Sequence, residues 1–62
     1  MYCVFQYVKN KWEWCSVVMD TQTADEQGEY LVKKYPGIRT VLATIESSTN
    51  PVYEDKNLIK EY

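Results

Sequence analysis

The sequence predicts a small α+β domain in which one helix packs on one face of a small three-stranded antiparallel or mixed sheet. Three observations support this fold: two adjacent runs rich in Val, Tyr, Trp and Phe, one segment with helical spacing of apolar residues, and a later β-branched run. With 62 residues, the chain has room for a single domain, residues 1–62. We expect the order strand, strand, helix, strand, followed by a short C-terminal hairpin or added strand.

The first two strands are predicted to form a β-hairpin. An uncharged run, Tyr2–Val8, is followed by a polar break at residues 9–11 and by a second run, Trp12–Met19. Aromatic and β-branched residues suit a pleated, half-buried surface, and a polar break containing Asn is typical of a turn.

Side chains alternate across a strand, so each run of the hairpin has two faces. If the loop has an odd length, Phe5 shares a face with Cys15 and Val17, whereas a one-residue slip would mix the two sets. The first face would carry Cys3, Phe5, Tyr7, Cys15, Val17 and Met19. The second would carry Tyr2, Val4, Gln6, Val8, Trp12, Trp14, Ser16 and Val18.

The helix is predicted over Ala24–Tyr35. Thr23 and Glu26 match a capping box, in which the first side chain caps the helix and the second reaches back to it, and Pro36 and Gly37 end the helix. Acidic residues in the first turn and lysines in the last suit the helix dipole. A favourable pair is also expected between Glu29 and Lys33.

An apolar stripe along the helix includes Gly28, together with Ala24, Leu31, Val32 and Tyr35. Gly in a helix costs up to about 1 kcal/mol relative to Ala. We therefore expect Gly28 to allow close packing against a bulky sheet residue such as Phe5 or Tyr7.

The third strand is predicted over Ile38–Glu46, and residues 47–51 form the loop that ends it. A right-handed crossover through the helix returns this strand parallel to the second one, which gives the order 3-1-2 with the uncharged first strand in the centre. In the tail, two short apolar pieces flank a polar turn at Glu54–Asn57, which is consistent with a small hairpin, one added strand or a final helical turn.

One helix can cover only one face of a sheet that is apolar on both faces. If it covers Phe5, the opposite face becomes a candidate interaction surface. The predicted binding residues are Tyr2, Val4, Lys9, Lys11, Trp12, Trp14 and Val18. Alternatively, the tail covers this face with Val52, Tyr53, Leu58 and Ile59. A second candidate is the free edge of the second strand, which could accept an incoming strand.

The residues that catalysis most often uses are missing. The chain has no His, its two Gly are isolated, and its two Cys do not form a CxxC pair, so no nucleophile–base arrangement, phosphate loop or metal set is evident. We predict no enzymatic activity and no cofactor. Cys3 and Cys15 could face each other across the hairpin as a disulfide, but two buried thiols in a cytoplasmic protein are the favoured interpretation.

The favoured function is binding to another protein. Trp and Tyr often carry interface energy. The net charge of −2 argues against a dedicated nucleic-acid binder, although stacking of single-stranded bases on the aromatics is the first alternative and a homodimer the second. No apolar run approaches the roughly 20 residues that cross a bilayer.

In size, acidity, lack of catalytic residues and strand–strand–helix–strand order, the chain resembles the small accessory proteins with which phages block host enzymes. These include antitoxin-like, anti-restriction and anti-CRISPR inhibitors. The resemblance covers general character and assigns no residue roles. It implies a small inhibitor that occludes a larger host protein in the host cytoplasm.

Overall fold

The computed structural model describes residues 1–62. Its elements, in chain order, are β1 (Tyr2–Val8), β2 (Lys11–Val18), α1 (Thr21–Lys34), β3 (Thr40–Thr44), a 3-10 turn (Asp55–Asn57) and β4 (Leu58–Glu61). The four strands form one antiparallel sheet in the order β2-β1-β3-β4. The α+β class and both predicted neighbours of β1 are confirmed, and the tail contributes a fourth strand beside β3.

The central position of β1 follows from its sequence. This strand is uncharged, pairs with β2 and β3, and buries four consecutive residues, 3–6. The chain passes from β2 through α1 to β3, so β3 runs parallel to β2 on the other side of β1. The third strand is shorter than predicted, although Ile45, just after it, is also buried. The single α-helix has 14 residues and does not reach the length or apolar character of a membrane-spanning helix.

The hairpin departs from the predicted register near its turn. Lys9 and Asn10 both have positive φ, 53° and 67°, as in the two-residue type I′ turn that matches strand twist, so the turn is one residue shorter than predicted. Farther along, Val4 pairs with Ser16 but Phe5 pairs with Trp14. The skipped residue, Cys15, is a β-bulge.

The bulge changes which side chains share a face. Beyond it, Val17 lies opposite Cys3, and Val18 lies opposite Tyr2, as predicted. Between the bulge and the turn, the pairing slips by one residue. Trp12 and Trp14 therefore lie on the face of Phe5 and not, as predicted, on the face of Val4 and Val18.

The helix packs on the face opposite to the one assumed. Its residue Ala24 forms a cluster with Val4 and Leu42 of the sheet, against which Tyr2, Val18, Leu31 and Tyr62 pack. The helix-free face holds the cluster Cys3, Phe5, Val41, Ala43 and Ile45, against which Trp12, Val17 and Tyr53 pack. Both faces of β1 are apolar, so alternation alone did not decide which one the helix would cover.

The helix starts three residues earlier than predicted. Asp20 is the N-cap: its carboxylate accepts hydrogen bonds from the Thr23 amide and the Thr23 hydroxyl, both at 2.8 Å. The predicted acidic first turn is therefore wrong, whereas Lys33 and Lys34 do lie in the last turn. The predicted pairing of Glu29 with Lys33 is replaced by an ion pair with Lys60 at 3.2 Å.

Gly28 provides the close approach that the sequence predicted, but with a different partner. Gly28 is buried, and a Cβ at this position would overlap the ring of Tyr62, not Phe5 or Tyr7. The apolar stripe holds for Ala24, Gly28 and Leu31, and Val32 is half-buried, whereas Tyr35 is exposed.

Candidate protein-interaction surface

Aromatic side chains gather on the helix-free face, at the turn end of the hairpin. Tyr7 and Trp12 are paired residues of β1 and β2, and their rings meet edge to face with centroids 5.1 Å apart. Trp14 is paired with Phe5 and so lies on the same face. We call the group Tyr7, Trp12, Trp14, Arg39 and Tyr53 the aromatic surface.

Tyr53 comes from the irregular segment before the 3-10 turn and packs onto the sheet. Its ring centroid lies 4.5 Å from that of Trp12 and 5.6 Å from that of Phe5. The buried hydroxyl of Tyr53 has no hydrogen-bond partner. Burial raises the pKa of Tyr53, and nearby Asp55 raises it further.

Arg39 links the aromatic surface to the far edge of the sheet. Its guanidinium lies 5.2 Å from the centroid of the Trp12 ring and donates two hydrogen bonds to Glu61, at 2.6 and 3.2 Å. These bonds raise the pKa of Arg39 and lower the pKa of Glu61. Trp12 is therefore held by three neighbours: Tyr7, Tyr53 and Arg39.

The accessible part of the aromatic surface is Trp14 and Tyr7, whose exposed fractions are 54% and 41%. Phe5, next to both in the sheet, is only 1% exposed. The surface thus combines a fixed, half-buried indole at its centre with a second indole that projects into solvent.

The seven predicted binding residues do not form one surface. Lys9 and Lys11 are exposed, but Lys11 pairs with Val8 on the opposite face from Trp12 and forms an ion pair with Glu13 at 3.8 Å. Tyr2 and Val18 lie half-buried at the other end of the hairpin, under the helix, and Val4 is completely buried there. Burial removes Val4 from any docking surface. Trp12 and Trp14 remain together.

Three members of the aromatic surface were missed by the sequence interpretation. Tyr7 was placed on the face that the helix was expected to cover, and Tyr53 was considered only as part of a covering tail. Arg39 gave no local signal, because its neighbours Trp12 and Glu61 are distant in sequence.

The predicted alternative, in which the tail covers the second face, is partly realised. Tyr53 packs into the cluster around Phe5, but Val52 is 61% exposed, and Leu58 and Ile59 are exposed in β4. The irregular segment thus seals the centre of the helix-free face and leaves Trp14 accessible.

The outer edge of β2 is a weaker candidate than the aromatic surface. This strand is eight residues long and has a neighbour on one side only. However, the bulge at Cys15 interrupts it, and Lys11 and Glu13 are charged. Bulges and charged side chains are common means by which proteins prevent another strand from pairing with an edge.

The two cysteines are free and lie in different environments. Cys3 is buried opposite Val17, whereas Cys15 is exposed, which corrects the prediction of two buried thiols. Burial raises the pKa of Cys3 to about 11, and partial burial together with Glu13 raises the pKa of Cys15. A raised pKa lowers the thiolate fraction, so neither thiol is activated as a nucleophile.

Comparison with protein-family models, curated proteins and solved structures finds no match. No group of three or more Cys, Asp or Glu side chains is arranged to hold a metal ion. The fold and the site define a small α+β domain with an accessible aromatic surface on the helix-free face of its sheet.

Proposed function

We propose that this chain is a non-enzymatic protein-binding module and that the aromatic surface is its contact site. The observation that carries the proposal is the 54% exposure of Trp14, on the same face as Tyr7 and Trp12. An indole removes a large apolar area from water on binding and still offers a hydrogen-bond donor, and such residues often dominate interface energy.

The packing around Trp12 supports this proposal. Its contacts with Tyr7, Tyr53 and Arg39 hold the indole in one orientation before any partner arrives. A side chain that is already ordered loses less conformational entropy on binding. Trp14 then supplies an exposed anchor beside the ordered indole of Trp12.

The proposed partner is a larger protein that the module occludes. A standard interface buries about 800 Å² on each partner, and aromatic side chains contribute about 150–250 Å² each. At exposed fractions of 41% and 54%, Tyr7 and Trp14 together would supply about 200 Å², roughly a quarter of one side of such an interface. The general resemblance to phage inhibitors is the argument for a host enzyme as the partner.

The arrangement favours a protein over a single-stranded nucleic acid. Base stacking needs free ring faces and nearby cations. Here Trp12 is surrounded, Arg39 is paired with Glu61, and Lys11 lies on the other face. A complex that weakened steeply with rising salt would nevertheless support nucleic-acid binding.

The test is quantitative affinity capture with the wild-type chain and two variants. Trp14→Ala is expected to lose the captured partner and keep the wild-type circular dichroism, because this side chain is mostly exposed. Met19→Ala is the matched control, since Met19 is 76% exposed beyond the other end of β2. Equal capture by wild-type protein and Trp14→Ala would contradict the proposal, as would partner loss in Met19→Ala alone. Light scattering on the pure chain tests the homodimer alternative.

A further inference from the structure

The C-terminal residues 58–62 pack beside α1 through the side chains of Lys60 and Tyr62. The Tyr62 ring lies over Gly28, in a groove that a Cβ at this position would fill. The Tyr62 hydroxyl donates a hydrogen bond to Asp25 Oδ1 at 2.6 Å. Lys60 Nζ contacts Asp25 at 3.0 Å and Glu29 at 3.2 Å.

The spacing of these two side chains follows from strand geometry. Residues two apart in a strand point to the same side, so Lys60 and Tyr62 both reach the helix. Glu61, between them, points to the opposite face and binds Arg39. The two side chains that contact the helix are therefore a cation and, two residues later, a tyrosine.

β4 is weakly secured compared with the other strands. It has only four residues, all of them exposed, and its pairing with β3 is irregular between Leu42 and Ala43. Its ion pairs are also exposed, and exposed ion pairs contribute little to stability. Its attachment thus depends chiefly on the Tyr62 ring and on a few backbone hydrogen bonds, including Tyr62 N–H to Thr40 O at 2.9 Å.

Detachment of β4 would uncover two complementary features. One is the outer edge of β3, whose unpaired backbone groups can accept an extended strand. The other is the apolar groove at Gly28, which adjoins the Ala24 and Leu42 cluster and is bordered by the carboxylates of Asp25 and Glu29.

We propose that the β3 edge and the Gly28 groove form a binding site for an extended peptide segment that carries a lysine and, two residues later, a tyrosine. Residues 58–62 occupy this site as an intramolecular ligand, and a segment of another chain with the same pattern displaces them. The site lies on the helix side of the sheet, opposite to the aromatic surface, and the ion pair between Glu61 and Arg39 connects the two.

The hydroxyl gives the site its selectivity. A phenylalanine could fill the groove but could not donate a hydrogen bond to Asp25. The cation pairs with the carboxylates of Asp25 and Glu29, which are about half exposed, so it contributes less to affinity than the tyrosine does.

The test uses the full-length chain and a fluorescent peptide with the sequence of residues 57–62. Tyr62→Ala frees the groove, whereas the wild-type chain keeps it filled by an intramolecular segment at an effective concentration in the millimolar range. We expect Tyr62→Ala to bind the peptide at least tenfold more tightly than wild type by fluorescence anisotropy. A peptide with Ala in place of its tyrosine is the matched control and is expected not to bind.

A second receptor variant, Tyr62→Ala combined with Gly28→Ala, fills the groove and is expected to lose the peptide. Equal binding of the peptide by wild type and Tyr62→Ala, or equal binding of both peptides by Tyr62→Ala, overturns the proposal. If Tyr62→Ala does not fold, hydrogen exchange in the wild-type chain decides. Excess peptide should then speed exchange of the amides of residues 58–62 severalfold, and unchanged exchange overturns the proposal.

Discussion

Gly28→Ala is expected to change stability in opposite directions depending on what residue 62 is. In an ordinary exposed helix, this substitution stabilises the protein by up to about 1 kcal/mol, because Ala is the better helix former. Here the new Cβ would overlap the Tyr62 ring. The overlapping atoms are the outer end of the Tyr62 ring, so the ring must move away from Gly28 for Ala to be accommodated.

The size of the loss follows from the burial of Tyr62. An aromatic side chain can remove about 150–250 Å² from water, and about 25 cal/mol per Å² applied to half of that area gives about 2 kcal/mol for a partly buried ring. Loss of the hydrogen bond to Asp25 acts in the same direction. Against the helix gain, Gly28→Ala should destabilise the wild-type chain by about 1 kcal/mol.

The assay is a double-mutant cycle that combines Gly28→Ala with Tyr62→Ala, followed by thermal and urea unfolding of all four chains. In a domain of this size, about 1 kcal/mol corresponds to a shift of about 4–8 °C in Tm. Gly28→Ala should lower Tm in the wild-type background and raise it in the Tyr62→Ala background. An equal rise in Tm in both backgrounds would refute the claim that Gly28 makes room for the Tyr62 ring.

Four further outcomes are expected. Acidification should reduce stability, because hydrogen bonds from Tyr62 and Lys60 lower the pKa of Asp25 in the folded state. The stability that these bonds contribute is lost as pH falls through that pKa. In Asp25→Asn, the difference between the urea midpoints at pH 7 and pH 3 should therefore be smaller than in the wild type. Asp20→Ala should lower Tm because the helix cap is lost, whereas Asp20→Asn should keep most of the wild-type stability. Equal Tm values for Asp20→Ala and the wild type would argue against the cap. One thiol per chain, Cys15, should react with a maleimide in the folded state and two in urea, and two fast-reacting thiols in the folded protein would contradict the burial of Cys3. Phe5→Ala should cost about 3–5 kcal/mol, enough to unfold a domain of this size, so a cooperative transition near the wild-type Tm would show that Phe5 is not central to the core.

The strand and helix content could be predicted because local signals agreed with the fold. The uncharged run Tyr2–Val8 has the same bounds as β1, and its lack of charge indicated a central strand. The helix start was harder, because Asp20 and Thr23 are both good capping residues only three positions apart. Asp20 is the N-cap because its carboxylate accepts hydrogen bonds from both the amide and the hydroxyl of Thr23.

The faces of the hairpin could not be predicted, because they depend on two compensating local irregularities. A two-residue turn shifts the register by one, and the bulge at Cys15 shifts it back. Nothing in the residue types around Cys15 indicates that it is unpaired. The prediction was therefore right for Val17 and Val18, and wrong for Trp12 and Trp14.

Part of the candidate site could also be predicted from the sequence. The tryptophans could be identified as candidate contact residues, since large aromatic side chains on a short chain with little core are conspicuous. Their supports were not identifiable: Tyr53 and Arg39 reach Trp12 only through tertiary packing. The same applies to Tyr62, whose partner Gly28 lies in a different element.

The bulge in β2 makes this strand tolerant of a change in length that most strands do not survive. Deleting Cys15 would bring Trp14 and Ser16 together, and these residues already pair with the consecutive residues Phe5 and Val4. Both halves of the hairpin would keep their partners, and no side chain would change face. The shortened strand would, however, be regular along its unpaired edge. Because the bulge discourages other strands from pairing with this edge, the deletion would make edge-to-edge association and fibre formation easier.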